Sequence, residues 1–145
     1  MRRTTVVCLL GFVLAGCGGK SEAQKVREAA AKSGRGTVTC SGTATTGAIG
    51  LPAGFPEIEA VTVVESVQKG PTRVVDGYAD RSLEELYDDY MASFESGGHS
   101  VLFDEIEAND AEVSYRLKDE LTEGIVALRS CDYGRTSVHI TNRPS

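Results

Sequence analysis

The chain has 145 residues, 41% of them hydrophobic and 25% charged, with 21 acidic against 15 basic side chains and a formal net charge of −6. That length suffices for one domain with a buried core. The acidic balance excludes counterion-driven binding to nucleic acid and electrostatic docking on anionic lipid, because both need a cationic surface.

The first elements are N-terminal. Arg2 and Arg3 form a positive start, and Val6 to Leu14 make an apolar run within the roughly 7 to 15 residues of a secretory core segment. The run is too short to span a bilayer, which needs about 20 apolar residues. It ends in Leu14-Ala15-Gly16-Cys17, two small residues followed by a thiol. A thiolate is a good nucleophile toward a lipid donor.

This stretch resembles a bacterial lipoprotein signal peptide, with Leu14-Ala15-Gly16-Cys17 as its lipobox. The resemblance implies cleavage before Cys17, so that residues 1–16 are a signal peptide, and a thioether-linked diacylglyceryl group on Cys17. Two acyl chains give stable anchoring, since each buried CH2 contributes about 0.8 kcal/mol. Loss of Arg2 and Arg3 leaves 13 basic and 21 acidic residues, a net charge of −8. Gly18 is not the aspartate that resembles an inner-membrane retention signal. A two-membrane host would export the protein outward, and a one-membrane host would hold it on the outer leaflet of its plasma membrane.

With Cys8 lost in the signal peptide and Cys17 acylated, the resemblance leaves Cys40 and Cys131, which outside the cytoplasm are expected to pair. Closing so long a loop removes about 4 to 5 kcal/mol of denatured-state freedom in a polymer-entropy treatment. A redox or metal role has little to stand on, because there is no CxxC and no nearby His/Cys cluster.

Residues 17–36 read as a lipidated tether, polar and poor in large apolar side chains, and residues 37–145 as a single domain. Fully extended, the tether reaches roughly 60 to 70 Å. Glu22 to Lys32 is rich in helix formers, but an isolated helix of that length barely holds in water. Thr37 to Cys40 reads as a short strand, and LPAGFP as an extended, proline-fixed segment.

From Ala60 the pattern is clearer. VTVVESVQ and TRVVDGYA flank a Lys69-Gly70-Pro71 turn, which signals a hairpin. Ser82 with Glu85 three residues on forms a capping box. Leu83, Leu86, Tyr87, Tyr90 and Phe94 then share one face of a helix that Gly97-Gly98 ends. SVLFDEIE, EVSYRL, GIVALRSC and TSVHITN follow as strands separated by short turns. The expected fold is α+β, in β-β-α-β-β-β-β order, with an antiparallel sheet and one amphipathic helix across one face.

Catalytic and metal chemistry find few footholds. The stretch Asp104 to Glu112 lacks the glycine and ligand spacing of an EF-hand, and alternation sends Asp104 and Glu105 to opposite faces. Glu84, Glu85, Asp88 and Asp89 read as a solvated helix face, since paired-carboxylate catalysis needs two acids facing each other across a cleft. His99 and His139 have no nucleophile elbow to serve, and His139 reads as the outward member of an alternating strand. Tyr133, in a turn beside Arg135, is the one aromatic placed to meet a partner.

The sequence therefore reads as a lipid-anchored, extracytoplasmic, non-catalytic binding module of a bacterial cell envelope. It needs no cofactor or metal, and its partners are the membrane, through Cys17, and another envelope protein, with no nucleic acid. A carrier of a small apolar or lipid ligand is the first rival and an envelope hydrolase the second.

Overall fold

A computed structural model describes residues 38–57, 60–119 and 121–144. The expected signal peptide (residues 1–16), Cys17 and the expected tether (residues 17–36) lie outside the described residues.

Six strands form one antiparallel sheet: β1 (Val61–Lys69), β2 (Thr72–Ala79), β3 (Ser100–Ile106), β4 (Asp110–Arg116), β5 (Thr122–Ser130) and β6 (Thr136–Pro144). Their spatial order is β1-β2-β6-β5-β4-β3. The last strand thus inserts between the first hairpin and the β3–β5 meander and joins them into one sheet. Between β2 and β3 runs the helix α1 (Leu83–Ser96), which packs over β3, β4 and β5. Among the described residues, the expected α+β architecture, with its element order and one helix packed on the sheet, is what the chain adopts.

Helix α1 starts and stops where its sequence says. The Ser82 hydroxyl accepts from the Glu85 N–H, and the Glu85 carboxylate accepts from the Ser82 N–H at 3.1 Å, the reciprocal bonds of a capping box. At the other end the Gly98 N–H donates to Glu95 O and the His99 N–H to Phe94 O. With Gly98 at φ 71, that pair of bonds is a Schellman stop. Leu83, Leu86, Tyr90 and Phe94 are buried, and Tyr87 packs at the margin of the core.

The register sets which side chains meet the helix. Val75 opposes Ile140, Val126 opposes Ile140 from the other side, and Val113 opposes Val126, so one sheet face is a continuous apolar surface. Upon it Phe55, Tyr90, Phe94 and Tyr115 stack their rings, with Phe94 and Tyr115 centroids 4.6 Å apart. Tyr115 fits because Gly124 lies across from it. A Cβ at Gly124 would come within 2.4 Å of the phenolic oxygen and 2.1 Å of Thr141 O. The same hydroxyl accepts from Asn142 Nδ2 at 2.7 Å, so it is satisfied inside the core.

The segment before β1 corrects one expectation. Val38 to Cys40 are not a strand. The Thr39 N–H donates to the side-chain Oγ of Ser137 at 2.9 Å instead of joining a backbone ladder, and Cys40 is bonded to Cys131. Residues 38–57 form a strap. It starts on the sheet face away from the helix, where Tyr78 Oη donates to Gly42 O. It then rounds the free edge of β1, where the Thr45 N–H donates to Val63 O at 2.8 Å. Past Ile49, whose carbonyl accepts from the Ser66 hydroxyl, it delivers Phe55 to the core on the helix side. Occupying that edge removes a template for unwanted strand pairing.

Candidate functional site

The helix-free face of the sheet holds the chain's polar chemistry. Alternation places Asp76 of β2 and Ser137, His139 and Thr141 of β6 there, and Asp76 and His139 are directly opposed in the register. Their side chains meet: His139 Nδ1 lies 2.7 Å from Asp76 Oδ1, and both residues are buried, 9% and 8% exposed. A carboxylate oxygen accepts, so the ring proton belongs on Nδ1. The expectation of an outward His139 holds for its direction. The strand does point it away from the helix, but it sits mid-sheet, bonded to Asp76, with strap residue Val38 lining the same cleft.

That cleft is small, about 90 Å³, and four carboxylates stand among its lining residues. Glu105 and Glu107 rim it from β3 and the turn beyond, and Glu112 from β4. Asp110 accepts from Arg129 Nε at 2.5 Å across the hairpin. Ser137 stands two residues from His139 on the same face, where its Oγ accepts from Thr39. Among the described residues no hydrogen bond joins that hydroxyl to the imidazole.

A second feature is the short 3-10 turn at Asp132–Gly134 between β5 and β6. Tyr133 is 98% exposed and has φ 64, the left-handed region that a side chain with a Cβ disfavours. The turn is braced on every side. Cys131 is bonded to Cys40, and its N–H donates to Arg135 O. Arg135 Nε donates to Asp80 at 2.7 Å, and its guanidinium lies over the Tyr78 ring. A strained residue on a rigid support presents its aromatic ring wholly to solvent.

The other residues singled out from sequence take structural parts. Cys40 and Cys131, 91 residues apart, form the expected disulfide. Glu84 and Asp88 are exposed, Glu85 serves the capping box, and Asp89 accepts from Arg81. The Ser82 hydroxyl and backbone N–H hold the Glu85 carboxyl below its ordinary range. Asp104 and Glu105 go to opposite faces, as alternation requires. Asp104 turns to the helix side and accepts from Tyr87 Oη at 2.5 Å, while Glu105 opposes Glu112. That hydrogen bond, with some burial and the Asp104 charge, pushes the Tyr87 hydroxyl up to about 12. Burial raises the Tyr90 and Tyr115 hydroxyls further still. His99 closes the helix stop, its ring edge-on to Phe94 and its Nδ1 accepting from the Lys118 N–H at 3.0 Å.

Sequence reasoning missed Asp76. The available signal was a carboxylate between Val75 and Gly77 in a β-branched run, which a buried strand tolerates only with a partner. Among the described residues, no group of three or more His, Cys, Asp or Glu side chains is placed to hold a metal ion. Nor, among the described residues, is any helix long and apolar enough to cross a membrane. Compared with protein-family models and with curated protein sequences, the chain matches none of them.

Proposed function

We propose that the protein is a lipid-anchored, extracytoplasmic and non-catalytic interaction module of a bacterial cell envelope, held to the membrane through Cys17. The observation that carries this reading is the Cys40–Cys131 disulfide. A bond of that span persists in an oxidising compartment and is rare in the reducing cytosol. It supports the export that the Leu14-Ala15-Gly16-Cys17 motif implies.

The interaction surface we favour centres on Tyr133. An exposed tyrosine brings a large, rigid, amphipathic area to a partner at low entropic cost, and aromatic residues are enriched at interface anchors. The disulfide and the Arg135–Asp80 pair hold it ready, so little ordering is left to be done on binding. A carrier of an apolar ligand finds less support, since the aromatic rings of Phe55, Tyr90, Phe94 and Tyr115 fill the space between helix and sheet.

The test is the intact mass of the protein from its native host, with and without reduction. The expected mass begins at Cys17, includes acyl chains and rises by two hydrogens on reduction. An unacylated mass, or two free thiols before reduction, would overturn the envelope assignment.

A further inference from the structure

The sheet has two outer edges, and the strap covers one of them. Along β1 the Thr45 N–H donates to Val63 O and the Ser66 hydroxyl to Ile49 O. Strand β3, at the other edge, has β4 as its one neighbour among the described residues, and all of its residues but Val101 are exposed. Which of its backbone groups stand open follows from the ladder. The Glu107 N–H donates to Asp110 O at 2.7 Å. Bonded pairs alternate along an antiparallel ladder, so Glu105, opposite Glu112, and Phe103, opposite Ser114, also turn their amides to β4. Asp104 and Ile106 therefore turn theirs to the open edge. The side chains there are of two kinds. Leu102, Phe103 and Ile106 are apolar and 49%, 51% and 44% exposed. Glu105 and Glu107 rim the helix-free cleft, and among the described residues no ion pair engages either of them.

We propose that the open edge of β3 takes up an extended, basic segment of another protein as an added strand, bonded to the backbone groups of Asp104 and Ile106, with its lysines or arginines against Glu105 and Glu107. In strand addition the main-chain bonds give affinity and the side chains at alternate positions give selectivity. On the helix-free face the added strand sets basic side chains beside Glu105 and Glu107 and an apolar one beside Phe103. On the helix face it sets an apolar side chain beside Ile106, next to an Asp104 carboxylate already engaged by Tyr87. Charge decides against a second copy of this chain, which itself carries a net charge of −6. With β3 paired to itself, Asp104, Glu105 and Glu107 of each copy would stand among those of the other, and like charges opposed across a strand pair are destabilising. The bulge between Val101 and Phe103 and the acidic side chains are devices that keep an edge from pairing at random. Toward a basic strand the acids reverse their effect, so the feature that bars most partners selects this one. The contact goes beyond the Tyr133 surface and depends on neither Tyr133 nor acylation of Cys17.

The test uses the full chain in detergent at low salt and a short acetylated and amidated peptide in which Lys and Val alternate. At saturating peptide, hydrogen exchange of the Asp104 and Ile106 amides should slow about ten-fold, while the Phe103 and Glu105 amides, already bonded to β4, keep their rates. Replacing the Lys residues of the peptide by Glu should abolish that protection. A peptide N-methylated on the residues that bond to β3 keeps its charge and loses its donors, and it should bind about ten-fold more weakly. Ile106→Pro takes away one open amide without touching the β4 ladder and should weaken binding about five-fold. Equal binding of the methylated and unmethylated peptides would reduce the contact to attraction of charge and overturn the proposal. So would the absence of protection at Asp104 and Ile106, or protection that appears without peptide and rises with protein concentration, which would place a second copy at this edge. An unacylated mass, or free thiols before reduction, would leave these results untouched, so the two readings fail separately.

Discussion

The two faces of the sheet obey different rules. The face under α1 is packed with Val75, Val113, Val126, Val138 and Ile140 beneath four aromatic rings, and Asn142 satisfies the Tyr115 hydroxyl inside it. The opposite face is crossed by a strap held through isolated contacts, and it carries the Asp76–His139 pair, the acidic cleft and Ser137. Continuous apolar burial makes the first face the main source of stability. The second face is held by single bonds, one of them covalent, so its arrangement can be altered one link at a time. Function has room to reside on the second face because the first can stabilise the fold without it.

Breaking the covalent link should have the largest effect. Replacing Cys40 and Cys131 together by Ala should lower unfolding free energy by about 4 to 5 kcal/mol, read as a fall in urea midpoint with a steeper slope, because the denatured chain without the cross-link exposes more surface. The Thr39 amide, which donates to Ser137, should lose hydrogen-exchange protection before the β4–β5 amides do. A loss under about 1 kcal/mol would mean that Ser137, Tyr78 and Arg135, whose Nη1 donates to Cys40 O at 3.3 Å, hold the strap unaided.

Next in size is a change on the packed face. Gly124→Ala should cost about 3 kcal/mol, toward the upper end for overpacking, because the new methyl would meet the Thr141 carbonyl, which cannot rotate aside. The Tyr115 ring should be displaced with it, altering near-ultraviolet circular dichroism. A neutral outcome would show that the close approach of β4, β5 and β6 at this point relaxes freely.

How much of this was legible beforehand differs between the same two faces. The helix could be read from Ser82 and Glu85, a local pair three residues apart, and from apolar residues one turn apart, all resolved within a single element. The strands could be read from their alternation, and the disulfide from the count of cysteines left after the lipoprotein-like N-terminus. The insertion of β6 between β2 and β5 has no local signature, because it depends on pairings between residues 57 to 69 positions apart, such as Asp76 with His139. The strap is illegible for another reason. Residues 38–57 have no apolar period, and each anchor is one bond to a distant residue. Alternation gave the direction of His139 but not its burial against Asp76, because it reports where a side chain points and not what lies over it.

A third variant tests the far face without touching the strap. Asp76→Ala should cost about 2 kcal/mol, since it leaves the buried His139 Nδ1 without its acceptor. The change should be seen as a lower thermal midpoint with the strap amides still protected. If the cost is near zero, water reaches the imidazole and the pair is structurally dispensable. Against the cost of Gly124→Ala, the result ranks the two faces directly.

The smallest effect lies at the margin of the packed face and depends on pH. Tyr87→Phe removes the hydrogen bond to Asp104 and should cost about 0.5 kcal/mol at neutral pH once solvent screening is allowed for. The phenol proton is held more tightly in the folded chain, near 12, than in the unfolded chain, near 10. A group whose folded value is raised contributes stability that is complete below its unfolded value and is lost as pH rises through the folded one. The difference in stability between wild type and Tyr87→Phe should therefore stay constant from pH 8 to about 10 and close by about pH 12. Urea titrations of both proteins at matched pH isolate this effect, because ionisation of the buried Tyr90 and Tyr115 affects both alike. A gap that persists unchanged beyond pH 12 would mean that the hydroxyl contributes by some route other than donating its proton to Asp104.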